Sequence, residues 1–136
     1  MAKFAATDFS ITVNGTDLST SLTSVELNLE AEDKDVTAFG TGGFRSRIGG
    51  LKQGSVKLSF LQDFAASSVE ATLYPLLGTI ATVVIKPTSG SVSSTNPSYT
   101  VPVLCTQVSP VSASIGDVVT QQVSWVTSGS VAKATS

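Results

Sequence analysis

Histidine is absent from the 136 residues of this chain. That excludes Ser-His-Asp and Cys-His nucleophilic systems and every His-ligated metal site. Cysteine occurs once, at Cys105, so there is no internal disulfide and no thiolate cluster. It stands in an apolar stretch, where a free cysteine acts as a small hydrophobe. Charge is scarce. Charged residues make up 13% of the chain against 41% hydrophobic, and 8 basic and 10 acidic residues leave a net charge of −2. That balance gives no reason to expect nucleic-acid binding by the whole domain. Nowhere do 18 apolar residues run together, so no membrane contact is expected. Residues Met1 to Asp8 hold no apolar core of a secretory signal, and synthesis and first residence in a cytoplasm are expected.

What is present is Thr, Ser and Val, a composition that suits strands. The length fits one domain, residues 1–136, which should bury roughly 65–70% of its unfolded surface. A surface so poor in charge is weakly protected against self-association. That is a liability in a monomer and tolerable in a subunit whose faces are covered.

Phe9, Ile11 and Val13 alternate with polar residues, and Asn14-Gly15 supplies the strongest turn signal in the chain. Val25, Leu27 and Leu29 alternate with Glu26, Asn28 and Glu30, which predicts a half-buried strand with a polar face. The acidic run Glu32 to Asp35 reads as a turn, and Val36 to Phe39 as the returning strand, so residues 22–39 are expected to form a hairpin. Residues 40–54 hold six of the eleven glycines, together with Phe44, Arg45, Arg47, Ile48, Leu51 and Lys52. They read as a long loop, uncommon in a small domain and often functional.

Val56, Leu58 and Phe60 alternate in a further strand. Ser67 to Glu70 fits a capping box ahead of one short helix, which Pro75 and Gly78 end. Residues 79–86 are apolar on both faces and read as a strand covered on both sides. Residues 87–98 read as a surface loop. Tyr99, Val101, Val103 and Cys105 alternate in the next strand, where Pro102 points to an edge or bulge. Val119, Gln121, Val123 and Trp125 share one face of a late strand. Residues 129–136 read as a mobile or partner-ordered arm. The expected fold is mainly β: a two-sheet β-sandwich or partly closed barrel with one short flanking helix and a long hairpin.

The sequence offers no catalytic constellation and implies no cofactor or metal. Its one Ser-x-x-Lys, at Ser130 to Lys133, lies in the terminal arm, which cannot hold a nucleophile and base in fixed geometry. Gly40 to Arg45 fails the dinucleotide fingerprint, and no phosphate-cradling Gly-Lys-Ser/Thr occurs. Glu30, Glu32, Asp33 and Asp35 lack the spacing of an EF-hand. They read as a solvated tip, with a bound cation as the other option. Arg45, Arg47, Lys52 and Lys57, interleaved with apolar residues, read as a protein interface before a phosphate-binding patch.

One charge pattern stands out. Residues 26–35 carry five acids against Lys34, and residues 45–57 carry four bases and no acid. The two segments either pair within the subunit or face each other between copies. Repeated around an axis, the second arrangement closes a ring. Phe44, Ile48 and Leu51 would anchor such an interface.

Residues 36–52, VTAFGTGGFRSRIGGLK, running on through SVKLSFLQDF at 55–64, resemble the major tail proteins of long-tailed bacteriophages, especially those of actinobacterial hosts. LYPLLGT at 73–79, KPTS at 86–89 and TNPSY at 95–99 continue the likeness, which covers most of the chain. The resemblance implies a non-enzymatic virion protein: a β-sandwich flanked by one helix, assembling with itself into stacked, hexameric rings. Hairpins of each subunit would fuse into an inner barrel through which DNA passes at ejection. Tape measure, tail terminator and distal tail proteins would be its other partners. By place and polarity, Glu26, Asn28 and Glu30 would face the lumen. Phe44, Arg45, Arg47, Ile48, Leu51 and Lys52 of the 40–54 loop would form the subunit interface, with the C-terminal arm as a second contact. A capsid-decorating or head–tail joining protein is the alternative within the virion. A carbohydrate-binding module is a third reading, for which only Trp125, Tyr74 and Tyr99 could serve as platforms.

Overall fold

A computed structural model describes residues 3–136. Eight strands form one antiparallel sheet: β1 (Ser10–Val13), β2 (Thr16–Asp17), β3 (Leu22–Asp35), β4 (Arg47–Leu61), β5 (Ile80–Lys86), β6 (Ser98–Leu104), β7 (Thr120–Thr127) and β8 (Ala132–Ala134). Their order is β2-β1-β5-β6-β7-β4-β3, with β8 on β6. The single sheet curls on itself. Val25 and Leu27 of β3 share one crevice with Ile85 of β5 and Tyr99 of β6, although two strands separate β3 from β6, and three separate it from β5, within the order. No pairing joins β3 to β2 or β1 among the described residues, so the curl stays an open barrel rather than two stacked sheets.

Alternation explains which side is dry. Ile11 and Val13, Ala81 and Val83, Val101 and Val103, Val123 and Trp125, and Val56, Leu58 and Phe60 all point inward and are buried in one cluster. The turn Asn14-Gly15 has positive φ at both residues, 50° and 89°, which matches the twist of the β1–β2 hairpin. The buried Trp125 indole donates from Nε1 to the Gln107 carbonyl at 2.8 Å, and so joins the β6–β7 connection to the core. Gln62 does the same from the other side. Its Nε2 donates to the Pro110 carbonyl at 2.6 Å and to Oε1 of the buried Gln121 at 2.7 Å.

Several expectations need correction. The hairpin does not turn at 32–35 and return at 36–39; β3 runs unbroken to Asp35 and returns through β4. Charged residues are tolerated there because both faces of this stretch meet solvent. The second half of the glycine-rich segment, residues 47–54, is strand and not loop. β5 is covered on one face only: Ala81, Val83 and Ile85 are buried, whereas Ile80 is exposed, because no second layer lies over the outer face.

The helix α1 (Val69–Leu73) is capped by Ser68 without a side-chain bond, and its Glu70 N–H is met by the Asp63 carbonyl, so the capping box is not formed. A 3₁₀ turn, Tyr74–Leu76, carries Pro75, and Gly78 follows with φ +82°. Residues 129–136 do not hang free. β8 pairs with Ser98–Thr100 of β6, whose edge β7 leaves open beyond Pro102.

Candidate assembly surface

The most unusual element is the β3–β4 ribbon. At its root β4 is flanked on both sides, by β3 and by β7, from Ser55↔Val126 to Leu61↔Thr120. Beyond Ser55, β7 ends and the ribbon continues alone. Leu29–Asp35 of β3 and Arg47–Gly54 of β4 project by roughly 23 Å at the usual rise per strand residue. An isolated two-stranded ribbon is at best marginally stable in water. This one also exposes apolar side chains: Leu29, Val36, Phe39, Phe44, Ile48 and Leu51 all face solvent. β3 is an edge strand along its whole length, and β4 is one over 47–54, so both offer unpaired backbone groups.

The turn is nevertheless well determined. The Val36 N–H donates to the Ser46 carbonyl at 2.8 Å and the Ser46 N–H to Thr37 Oγ1 at 2.9 Å. Asp35 Oδ1 accepts the Thr37 N–H at 2.8 Å, and Arg45 donates to Asp35 Oδ2 at 2.8 Å. The Thr37 side chain and N–H, with Arg45 adding, hold the Asp35 carboxyl below its ordinary pKa. Gly42 and Gly43 take positive φ, 69° and 88°, and reverse the chain.

The register decides which candidate residues meet. Glu26, Asn28 and Glu30 share one face. Asn28 Nδ2 donates to Glu26 Oε2 at 2.8 Å, and Gln53 donates to Glu30 Oε1 at 2.8 Å. Lys57 lies 3.9 Å from Glu26. The pairing adds Ser55 and Lys57 of β4 and Ser124 of β7 to this polar face, which sequence reading missed. Their alternation was visible, but their neighbours across the sheet were not. The interface candidates do not form one patch. Phe44 and Arg45 lie in the turn. Arg47 pairs with Asp33 at 3.5 Å on the face that continues Leu29, and Lys52 stands opposite Ala31 on that same face. Ile48 stands opposite Lys34 on the other face. Between them Gly50 and Leu51 oppose the single residue Glu32, a bulge that shifts the register. Phe39, fully exposed beside Gly40, belongs with this set and was read as the end of a strand.

The opposite charges of the two segments therefore meet within the subunit, at Glu26–Lys57, Asp33–Arg47 and Asp35–Arg45, with Lys34–Glu32 along β3. All are exposed pairs, screened by solvent, and so contribute little to stability. Among the described residues no group of three or more His, Cys, Asp or Glu gathers as a metal site would.

Comparison with solved structures finds this fold in chains of a virion, a tail and a baseplate. A chain from the virion of a native gene transfer agent particle superposes with a TM-score of 0.73 over 93% of this chain and 95% of its own, at 16% identity. A chain of the tail of an empty gene transfer agent particle, determined with helical refinement and C6 symmetry, gives 0.68 over 91% and 92%, at 15% identity. A chain of the 6-fold symmetrised baseplate of the anti-feeding prophage gives 0.52 over 98% and 97%, at 12% identity. No family model and no curated protein matches the chain. At these identities the likeness is one of fold.

Proposed function

We propose that this protein is a structural virion subunit that builds a phage-type tail tube from stacked rings of six copies. The observation that carries the reading is the projecting ribbon. It is too exposed and too apolar to be at ease in water, and it is attached to a fold shared nearly end to end with chains of gene transfer agent particles. Free edges on β3 and on residues 47–54 of β4 support ribbon-to-ribbon pairing between neighbouring copies, which closes on itself as a ring. Phe44, Arg45, Arg47, Ile48, Leu51 and Lys52 then belong to contacts between copies. The face of Glu26, Asn28 and Glu30 lines the lumen. With Lys34 and Lys57 on that face, the lumen is only mildly acidic, enough to disfavour adhesion of DNA passing through it. Tape measure, terminator and distal tail proteins are the partners at its ends.

Negative-stain electron microscopy of the purified protein across a concentration series tests this. Rings or hollow tubes are expected. Monomers persisting at high concentration would overturn it, and binding to capsids would then favour the decorating role. The baseplate likeness supports one further variant, a single ring that does not extend; the same images distinguish it by the absence of tubes.

A further inference from the structure

The sheet forks where the ribbon leaves it. Val126 has β4 on one side, at Ser55, and β6 on the other, at Leu104. One residue on, the chain stays with β6. Val103 stands opposite Thr127, the Ser128 N–H donates to the Pro102 carbonyl at 2.8 Å, and β8 continues along Ser98–Thr100. Gly129, at φ +134°, lies so close to the Pro102 ring that a Cβ would stand 3.0 Å from Cγ, which keeps this branch tight on β6. β4 meanwhile runs on into the ribbon with β3 alone. A cleft of about 680 Å³ separates the two branches, with Leu29, Ala31 and Lys52 on the ribbon wall and Gly129 and Val131 on the other. Close packing of side chains therefore does not fix the angle between them.

One side chain spans the fork. The backbone of Thr127 is paired on β6, while its Oγ1 accepts the Gly54 N–H of β4 at 3.1 Å. Among the described residues this is the one side-chain hydrogen bond between the ribbon, residues 29–54, and the rest of the molecule. Thr127 is half-buried and β-branched, so few χ1 states are open to it and the acceptor is held in place. We infer that Thr127 is the positioning residue that sets the angle at which the ribbon leaves the barrel, and through it the number of copies in a ring. Ribbons that pair edge to edge fix the rotation from one copy to the next, and the barrels attached to them must fit that same rotation. The angle between ribbon and barrel therefore selects the number of copies that closes. Six and seven copies differ by only roughly 10° of rotation per copy, which a loose exit at Gly54 would span. This inference rests on the tail-tube reading and names the residue that determines its symmetry.

The test compares Thr127→Val, which keeps the shape and removes the acceptor, with Thr127→Ser, which keeps the acceptor. Circular dichroism verifies folding, and Thr127→Ala repeats the measurement by a smaller change if the Val variant does not fold. In monomeric Thr127→Val the Gly54 amide should exchange roughly tenfold faster, with residues 56–60 still protected. Top views by electron microscopy count the copies in each ring. Wild type should give one ring number, Thr127→Val a mixture of numbers or open arcs, and Thr127→Ser one number again. Thr127→Val rings of the single wild-type number would overturn the inference and leave the tail reading intact, even if melting fell, because a merely structural residue lowers stability without altering symmetry. Wild-type protein that forms no rings would remove both.

Discussion

Leu29 lies across Gly54 so closely that a Cβ on Gly54 would stand 2.6 Å from Leu29 Cδ2, and closer still to the Asn28 carbonyl oxygen. Gly54 is also the last residue before β4 gains β7 as a neighbour, and its N–H donates to Thr127 Oγ1 at 3.1 Å. The ribbon thus leaves the barrel at a position that admits no side chain.

Gly54→Val should therefore destabilise the fold by about 1–3 kcal/mol, as overpacking does when backbone must move. A denaturant melt measures the loss. Hydrogen exchange should place it at residues 28–30 and 53–55. An unchanged melting midpoint would mean that the ribbon root yields freely.

Cys105 is buried, and burial pushes its thiol pKa up. The thiolate is the reactive form. A thiol reagent at neutral pH should therefore label the protein only once denaturant has opened the barrel. Rapid labelling of the native protein would place Cys105 at a site of easy opening.

Asp35 holds the turn through Thr37 and Arg45, and its folded pKa lies below the ordinary 3.8. A depressed carboxylate contributes its stabilisation above the unfolded pKa and loses it as pH falls through the folded one. Order in residues 35–46 should thus persist at neutral pH and be lost below pH 3.8, before the barrel core melts. Asp35→Asn should remove this acid step. NMR of the turn amides across an acid titration reads it directly.

Glu26→Lys with Glu30→Lys changes the polar face and leaves the turn and root untouched. Assembly should survive, and DNA delivery by particles carrying the variant should fall, because a basic lumen holds phosphates. Reversal without effect on either would remove Glu26 and Glu30 from the lumen.

The period-two alternations were legible in the sequence, because the side-chain period of a strand is local. Phe9 to Val13, Val56 to Phe60 and Gln121 to Trp125 each announced a strand and its dry face; Val25 and Leu27 announced a half-buried strand, but the same alternation carries Leu29 into solvent. Asn14-Gly15 announced its turn for the same reason. The acidic run 32–35 misled, since charge density marks solvent and not a change of direction. Only Arg45 and Arg47, ten and fourteen residues beyond Asp35 and Asp33, show those carboxylates to be strand residues with cross-strand partners.

Composition and alternation alone determined a mainly β chain with one apolar core and a surface poor in charge. Tertiary structure decided the rest. It made one curled sheet instead of two layers, because both candidate architectures bury the same alternating residues and differ only in strand order. It paired the opposite charges within the ribbon. It also left that ribbon projecting past β7, its apolar turn in solvent, because where a neighbouring strand ends is set by register between distant segments and by no residue within the ribbon itself.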